Sequence, residues 1–346
     1  MTESPTGSGK AISRRSLLKA AAGASALVAM GACGNSAASK ASTTGNTAGG
    51  APGATLPPTT ITTCVYAKNH ASSPLYWQQF APKGVTVDVK IVTSASEVKD
   101  GLESGQIDFG LMGPYNTIIA ASQGMLTSKI IGMVSRQGIG IIGRKGDVSR
   151  IADLKGKKVA VPPPGIQTLI INDLLGGQGL KLGRDVTNIP LGYADQPAAL
   201  QRGDVDAYVG TEPLCTQSVV MGVGQRLGAV YDTPVGDFNT ALWASSRMLA
   251  KPQLCRAAAM MQRRAAEYLS PGGVNNRQRW HQLLVTEFGY SEAVYNAVLA
   301  NVGAVWQFDG RRKGQFQGAG RLLLAQGAIS HEPDYEARYA RQYWSL

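Results

Sequence analysis

At 346 residues, 44% hydrophobic and 16% charged, the chain has globular composition and enough length for two domains with their own cores. Its formal charge is +11; taking off residues 1–32 removes Lys10, Arg14, Arg15 and Lys19 against Glu3 and leaves +8, a weak preference for anionic surroundings or ligands. Beyond the N-terminus no window keeps about 20 apolar residues free of charge, and no Lys/Arg cluster is interleaved with aromatic residues as in a nucleic-acid surface; Arg311-Arg312-Lys313 reads as a short solvated loop.

Residues 13–19 are basic, and residues 20–32 are small and apolar, too few to span a bilayer but right for a signal-peptide core. The paired Arg14 and Arg15 resemble a twin-arginine export signal. Ala29-Met30-Gly31-Ala32-Cys33-Gly34 resembles a lipoprotein box, which makes Cys33 the lipid-modified first residue of the mature chain. Residues 33–58 hold little besides Ala, Ser, Thr, Gly and Pro and cannot bury a core, so they are expected to form a flexible tether. Cys64, Cys215 and Cys255 allow at most one disulfide, and the apolar settings of Cys64 and Cys215 favour buried thiols.

Residues 60–67 alternate β-branched and aromatic side chains as a strand, followed by a loop whose Asn69, His70, Ser72 and Ser73 are candidate ligand donors. A helix over 75–80, a strand over 86–92 and a helix over 96–104, stopped by Gly105, come next. Then helix, Gly-x-Ile/Val-Asp, strand and Pro-bearing loop occur twice, around Asp108 and around Asp206. The same unit in each of two lobes is the reading. Residues 130–142 form an apolar extended stretch from the first unit towards the second, and 238–245 the return. Between them, Val159-Ala160-Val161 is a buried strand closed by Pro162, Pro163, Pro164 and Gly165, and Gln167 and Thr168 stand where a helix begins. The free N–H groups and positive end of that helix suit an acceptor or an anion. Residues 254–269, 277–288, 291–302 and 314–326 are expected to be helices that pack back on the first lobe.

The stretches DLKGKKVAV at 153–161 and AALQRGDVDA at 198–207, with Glu212-Pro213 and the export signal, resemble the substrate-binding proteins of the nitrate, sulfonate, taurine and thiamine-pyrimidine ABC importers over residues 60–345. The resemblance implies an α/β, two-lobed, periplasmic-binding-protein-like type 2 fold, each lobe a mixed sheet flanked by helices, with two crossovers at a hinge. The domains expected are signal 1–32, tether 33–58, lobe 1 at 59–138 and 246–346, and lobe 2 at 139–245. It places ligand in the cleft against Asn69, His70, Gly113, Pro114, Tyr115, Gly165, Ile166, Gln167, Thr168 and Glu212, with Tyr115 or Tyr193 stacking on a ring, while Ser72 and Ser73, candidates from their loop alone, serve equally as helix caps. Two positions depart from the family pattern: Ile166 where many members carry a hydroxyl residue, and Thr211 where many carry Trp. The role implied is a monomeric, extracytoplasmic, lipid-anchored protein that captures a small organic or anionic solute for an ABC permease and its ATPase, with no catalytic residue, metal, cofactor or nucleic acid. It is exported by the twin-arginine route to the outer face of the cytoplasmic membrane. The alternatives are an enzyme of the same fold acting on a pyrimidine-like molecule, although the chain lacks the Cys-Cys-Cys-Phe-Cys run of the thiamine-pyrimidine synthases, and a ligand-sensing receptor without transport.

Overall fold

The computed structural model describes residues 56–228 and 230–346; the export signal, Cys33 and the tether up to residue 55 lie outside them. Two mixed sheets flanked by helices make two lobes. The first sheet has the order β11-β4-β10-β3-β1-β2, and the second β7-β6-β8-β5-β9.

The first lobe opens with β1 (Thr59–Tyr66), a short 3-10 turn and α1 (Trp77–Phe80), then β2 (Val85–Val92), α2 (Ala95–Glu103), β3 (Phe109–Met112), α3 (Pro114–Ser122) and β4 (Lys129–Gln137). The second comprises β5 (Ile139–Arg144), β6 (Lys158–Val161), α4 (Ile166–Gly176), β7 (Thr187–Pro190), α5 (Gln196–Arg202), β8 (Ala207–Thr211), α6 (Leu214–Val220) and β9 (Gly224–Arg226). The chain then returns through β10 (Phe238–Ala244) to α7 (Ser246–Leu249), α8 (Pro252–Leu269), α9 (Arg277–His281), α10 (Glu292–Val298), β11 (Val302–Ala304) and α11 (Gly310–Ala325).

The repeated Gly-x-Ile/Val-Asp motif has the same task in both lobes. Asp108 Oδ2 accepts from Thr62 N at 2.9 Å and Asp206 Oδ2 from Lys158 N at 2.8 Å, so each carboxylate ties the strand after it to a parallel neighbour, β3 to β1 and β8 to β6. Local chemistry sets the helix ends nearby: Ser94 Oγ accepts from Glu97 N to start α2, and Gly105 leaves it at φ +76°.

The single extended stretch expected over 130–142 is two strands in different sheets. Gln137 and Gly138, at φ +60° and +79°, turn the chain between them. Gly138 faces the His70 ring so closely that an added Cβ would lie 1.9 Å from it. The second crossover is complete before Phe238, because β10 sits between β4 and β3 in the first sheet, whereas the sequence carried the second lobe to residue 245.

Three C-terminal expectations change. Residues 277–288 begin as α9 but continue as a π-helical turn, Gln282–Glu287. The helix expected over 291–302 ends at Val298, and β-branched Val302 opens the edge strand β11 against β4. Residues 311–313 are no loop: Asp309 caps α11, and Arg312 is buried in a bond to the Asp237 carboxylate. α8 packs on α1 and β4 of the first lobe as expected, while α10 touches α6 and α11 touches α4 of the second. Cys64, Cys215 and Cys255 are free and buried.

Candidate functional site

Strand alternation puts backbone ends, rather than side-chain faces, at the top of each sheet. Loops leaving the C-terminal ends of parallel strands in both lobes therefore meet across one gap, the usual position of ligands in open α/β sheets. It is a cavity of about 270 Å³. From the first lobe come Tyr66 and Asn69 after β1, Thr93 to Ser96 at the start of α2, Gly113, Tyr115 and Asn116 at the start of α3, and Asn239 and Thr240 on β10. The second lobe supplies Pro162 to Gln167 at the start of α4, Gly192 and Tyr193 after β7, and Thr211 at the end of β8.

Three helices of nine or more residues thus point their N-termini into the gap. At α3 and α4 unpaired first-turn N–H groups carry about half a positive charge each, whereas at α2 Ser94 Oγ caps Glu97 N and the Glu97 carboxylate, accepting from Thr93 N, offsets part of the charge. None of the lining residues is Lys, Arg, His, Asp or Glu. Side-chain polarity comes from amides and hydroxyls, and the apolar part from three consecutive prolines, Ile166 and three tyrosine rings. Burial pushes the phenols of Tyr66, Tyr115 and Tyr193 up, so they remain protonated donors. The Tyr66 hydroxyl is already committed to the Leu111 carbonyl oxygen at 3.2 Å.

The lobes approach closely here. A Cβ on Gly113 would stand 3.1 Å from the Asn239 carbonyl oxygen and 3.9 Å from Ile166. Asn69 Nδ2 donates to Thr211 Oγ1 at 3.0 Å, and Thr211 Oγ1 in turn donates to the Gly138 carbonyl oxygen at 3.1 Å. One chain of hydrogen bonds therefore runs from the first-lobe loop through the second lobe to the crossover.

Seven of the residues singled out from the sequence line this cavity: Asn69, Gly113, Tyr115, Gly165, Ile166, Gln167 and Tyr193. Six do not. Ser72 Oγ donates to the Asn69 carbonyl oxygen, and Ser73 Oγ to Gln262 Oε1 on α8, fixing the loop. Pro114 is buried at the first position of α3, and Thr168 Oγ1 accepts from Gly165 N as a local cap. His70 is enclosed, its Nδ1 beside the Glu212 carbonyl oxygen, and burial pushes it down to about 4.

Glu212, expected against the ligand, is wholly buried. Arg226 donates to its Oε1, and Thr216 N to its Oε2 at 3.0 Å. A carboxylate there is stabilised by a cation two strands away, which proximity to the β8 end does not reveal. Conversely, Thr93, Ser94, Ser96, Asn116, Asn239 and Thr240 line the cavity and were missed. The Ser94 cap before α2 was the available signal for the first three, since it marks another strand-to-helix turn like that at Gly165.

The profile of the NMT1-like family matches residues 59–285, more than half of the chain. The 4-amino-5-hydroxymethyl-2-methylpyrimidine phosphate synthase of Schizosaccharomyces pombe (strain 972 / ATCC 24843) is 28% identical over 138 residues, 40% of this chain. A binding protein of Brucella abortus (strain 2308) is 29% identical over 126 residues, 36% of this chain. Each match takes in only 38% of the relative's own length. Among solved structures, the alkanesulfonate-binding protein SsuA from Xanthomonas axonopodis pv. citri, bound to MOPS, superposes with a TM-score of 0.67 at 21% identity, covering 82% of this chain and 98% of that one. That likeness is one of fold.

Proposed function

The chain belongs to the NMT1-like family, and from that membership together with the cleft we propose that it is the solute-binding component of an ABC importer, taking a small solute with a single negative charge. The observation that carries this is the meeting of three helix N-termini in a cavity whose lining has no ionisable cation or carboxylate. The half-charges of α3 and α4, with what Glu97 leaves of that of α2, supply roughly one positive equivalent, which matches a monoanion and leaves a dianion undercompensated in a partly dry site. The proline and tyrosine walls favour a solute with an apolar or aromatic body behind the charged head. Micromolar capture requires about 8 kcal/mol, so both lobes contribute and close on the ligand by hinge motion about Gln137 and Gly138. The domain limits follow this reading: residues 59–137 and 238–346 as one lobe and 139–226 as the other.

Delivery to a permease with its ATPase, export by the twin-arginine route and attachment through Cys33 complete the proposal. A permease and an ATPase encoded beside it would decide for import over a sensing receptor. The second reading, an enzyme acting on a pyrimidine-like molecule, is motivated by the Schizosaccharomyces relative. Against it stand the positions of the groups it needs: His70 is enclosed, and the three buried thiols, outside the cavity lining, are all pushed up by burial.

The test is a thermal-shift screen of alkane- and arenesulfonates, nitrate, pyrimidines and aromatic monocarboxylates beside sulfate and phosphate monoesters. A ligand at 100 times its dissociation constant adds about 2.7 kcal/mol. Stabilisation by a monoanion and not by its dianionic analogue is expected; the reverse order, or none with any compound, overturns the reading. Cys33→Ala should move the protein from the membrane to the soluble fraction, and an unchanged fractionation rejects Cys33 as the anchor.

A further inference from the structure

The outer side of the first lobe carries arginines backed by aromatic rings. On α8, Arg256, Arg263 and Arg264 share the solvent stripe opposite the buried alanines. The Arg263 guanidinium lies 4.7 Å over the Trp306 ring, that of Arg279 4.4 Å over Tyr268, and that of Arg277 5.4 Å over Tyr295. Stacking holds a guanidinium in place while leaving its in-plane N–H groups available to a planar or tetrahedral oxyanion. Two of them also make local bonds, Arg263 to the Leu346 carbonyl oxygen and Arg277 to Asn296.

Among the described residues none of these five arginines is paired with a side-chain carboxylate. Two exposed carboxylates share this side, Glu267, which accepts from Trp306 Nε1 and Gly272 N, and Glu287, whose carboxyl is pushed up by partial burial; against the five arginines and Lys83 they leave the face net positive.

A second observation gives this face an orientation. Tyr268 packs against Tyr76 and Phe80, with centroids 5.1 and 5.9 Å away. Phe80 ends α1, and the turn that follows receives the chain as it enters the fold: Leu56 N donates to the Lys83 carbonyl oxygen at 3.1 Å and Thr59 N to that of Gly84 at 2.9 Å. Lys83 is exposed. The segment leading back to Cys33 thus begins beside the arginines.

We propose that this face, Lys83 with Arg256, Arg263, Arg264, Arg277 and Arg279, rests on the anionic phospholipid headgroups of the membrane in which Cys33 is anchored, and so sets how the domain stands on it. The placement rests on the lipid-anchor reading, but the affinity of the face for anionic lipid does not. A bilayer presents phosphates at the spacing of a two-dimensional lattice and suits dispersed, preoriented guanidinium groups.

The experiment uses the full chain carrying Cys33→Ala, so that no lipid is attached, and measures partitioning onto vesicles of phosphatidylcholine alone and of phosphatidylcholine with one quarter phosphatidylglycerol. All variants share the same N-terminus, so differences report the face. Each cation near an anionic surface contributes roughly five-fold. Arg263→Gln, Arg264→Gln, Arg277→Gln and Arg279→Gln combined should lower partitioning onto the phosphatidylglycerol vesicles by roughly 600-fold, and the four corresponding Arg→Lys changes much less. Lys145→Gln, Lys155→Gln, Lys158→Gln and Lys181→Gln, which remove the same charge from the second lobe, should leave it nearly unchanged. The exposed pair Arg263→Gln and Arg264→Gln alone, expected to lose about 20-fold, serves if the quadruple variant melts early. Equal losses in the arginine and lysine sets, or no preference for the anionic vesicles, overturn the proposal. A Cys33→Ala protein that stays at the cell membrane would reject the anchor without touching this result.

Discussion

Glu212→Ala separates a structural carboxylate from a ligand-binding one. Its side chain is fully buried, takes the Arg226 guanidinium on one oxygen and Thr216 N on the other, and anchors the start of α6 to β9. Removing one partner of a buried pair costs about 3–5 kcal/mol. Arg226 keeps 34% of its side chain exposed, so water recovers part of its charge and the expected loss is about 2–4 kcal/mol. The folded part has about 290 residues, and an unfolding entropy near 2.1 cal/mol/K per residue gives about 0.6 kcal/mol per degree. The melting temperature should therefore fall by roughly 3–7 °C. Circular dichroism melting of Glu212→Ala, with Glu212→Gln as the isosteric control, reads this directly. A melting point within a degree of the parent protein, with ligand affinity lost, would refute the reasoning and return the carboxylate to the cleft.

Two further outcomes follow from the crossover. His70 titrates near 6.5 when unfolded and at about 4 when folded, so the unfolded chain takes up the proton first as pH falls; stability is full above about 6.5 and is lost down to about 4, by roughly 3 kcal/mol in all. Urea midpoints over that range should fall less steeply for His70→Gln, and parallel curves would exclude His70 as the source. Gly138→Ala combines a left-handed backbone with a Cβ 1.9 Å from the His70 ring; a loss of about 3 kcal/mol is expected, and a crystal structure with the crossover unchanged and normal stability would contradict it.

Much of the architecture was legible because it rests on local chemistry. The Gly-x-Ile/Val-Asp motif was visible twice, and its meaning is the carboxylate that Asp108 and Asp206 each give to a neighbouring strand. The start of α4 was visible in its prolines and Gly165. What escaped depends on partners far along the chain. Residues 311–313 look like a solvated basic run until Asp237 takes Arg312 into the interior, and Glu212 looks available until Arg226 reaches it. The arginine face is likewise invisible to a search for interleaved residues, since Arg263 and its ring, Trp306, are brought together only by folding.

The walls of the cleft contain nothing that changes charge between about pH 5 and 9: amides, hydroxyls, prolines and phenols held protonated by burial. A collector of this design would grip a strong-acid cargo equally well in sour or alkaline surroundings. If the protein serves an importer outside the cell, as proposed, where no cytoplasmic buffer keeps conditions constant, uptake would respond to how much solute is present and not to the acidity in which it arrives.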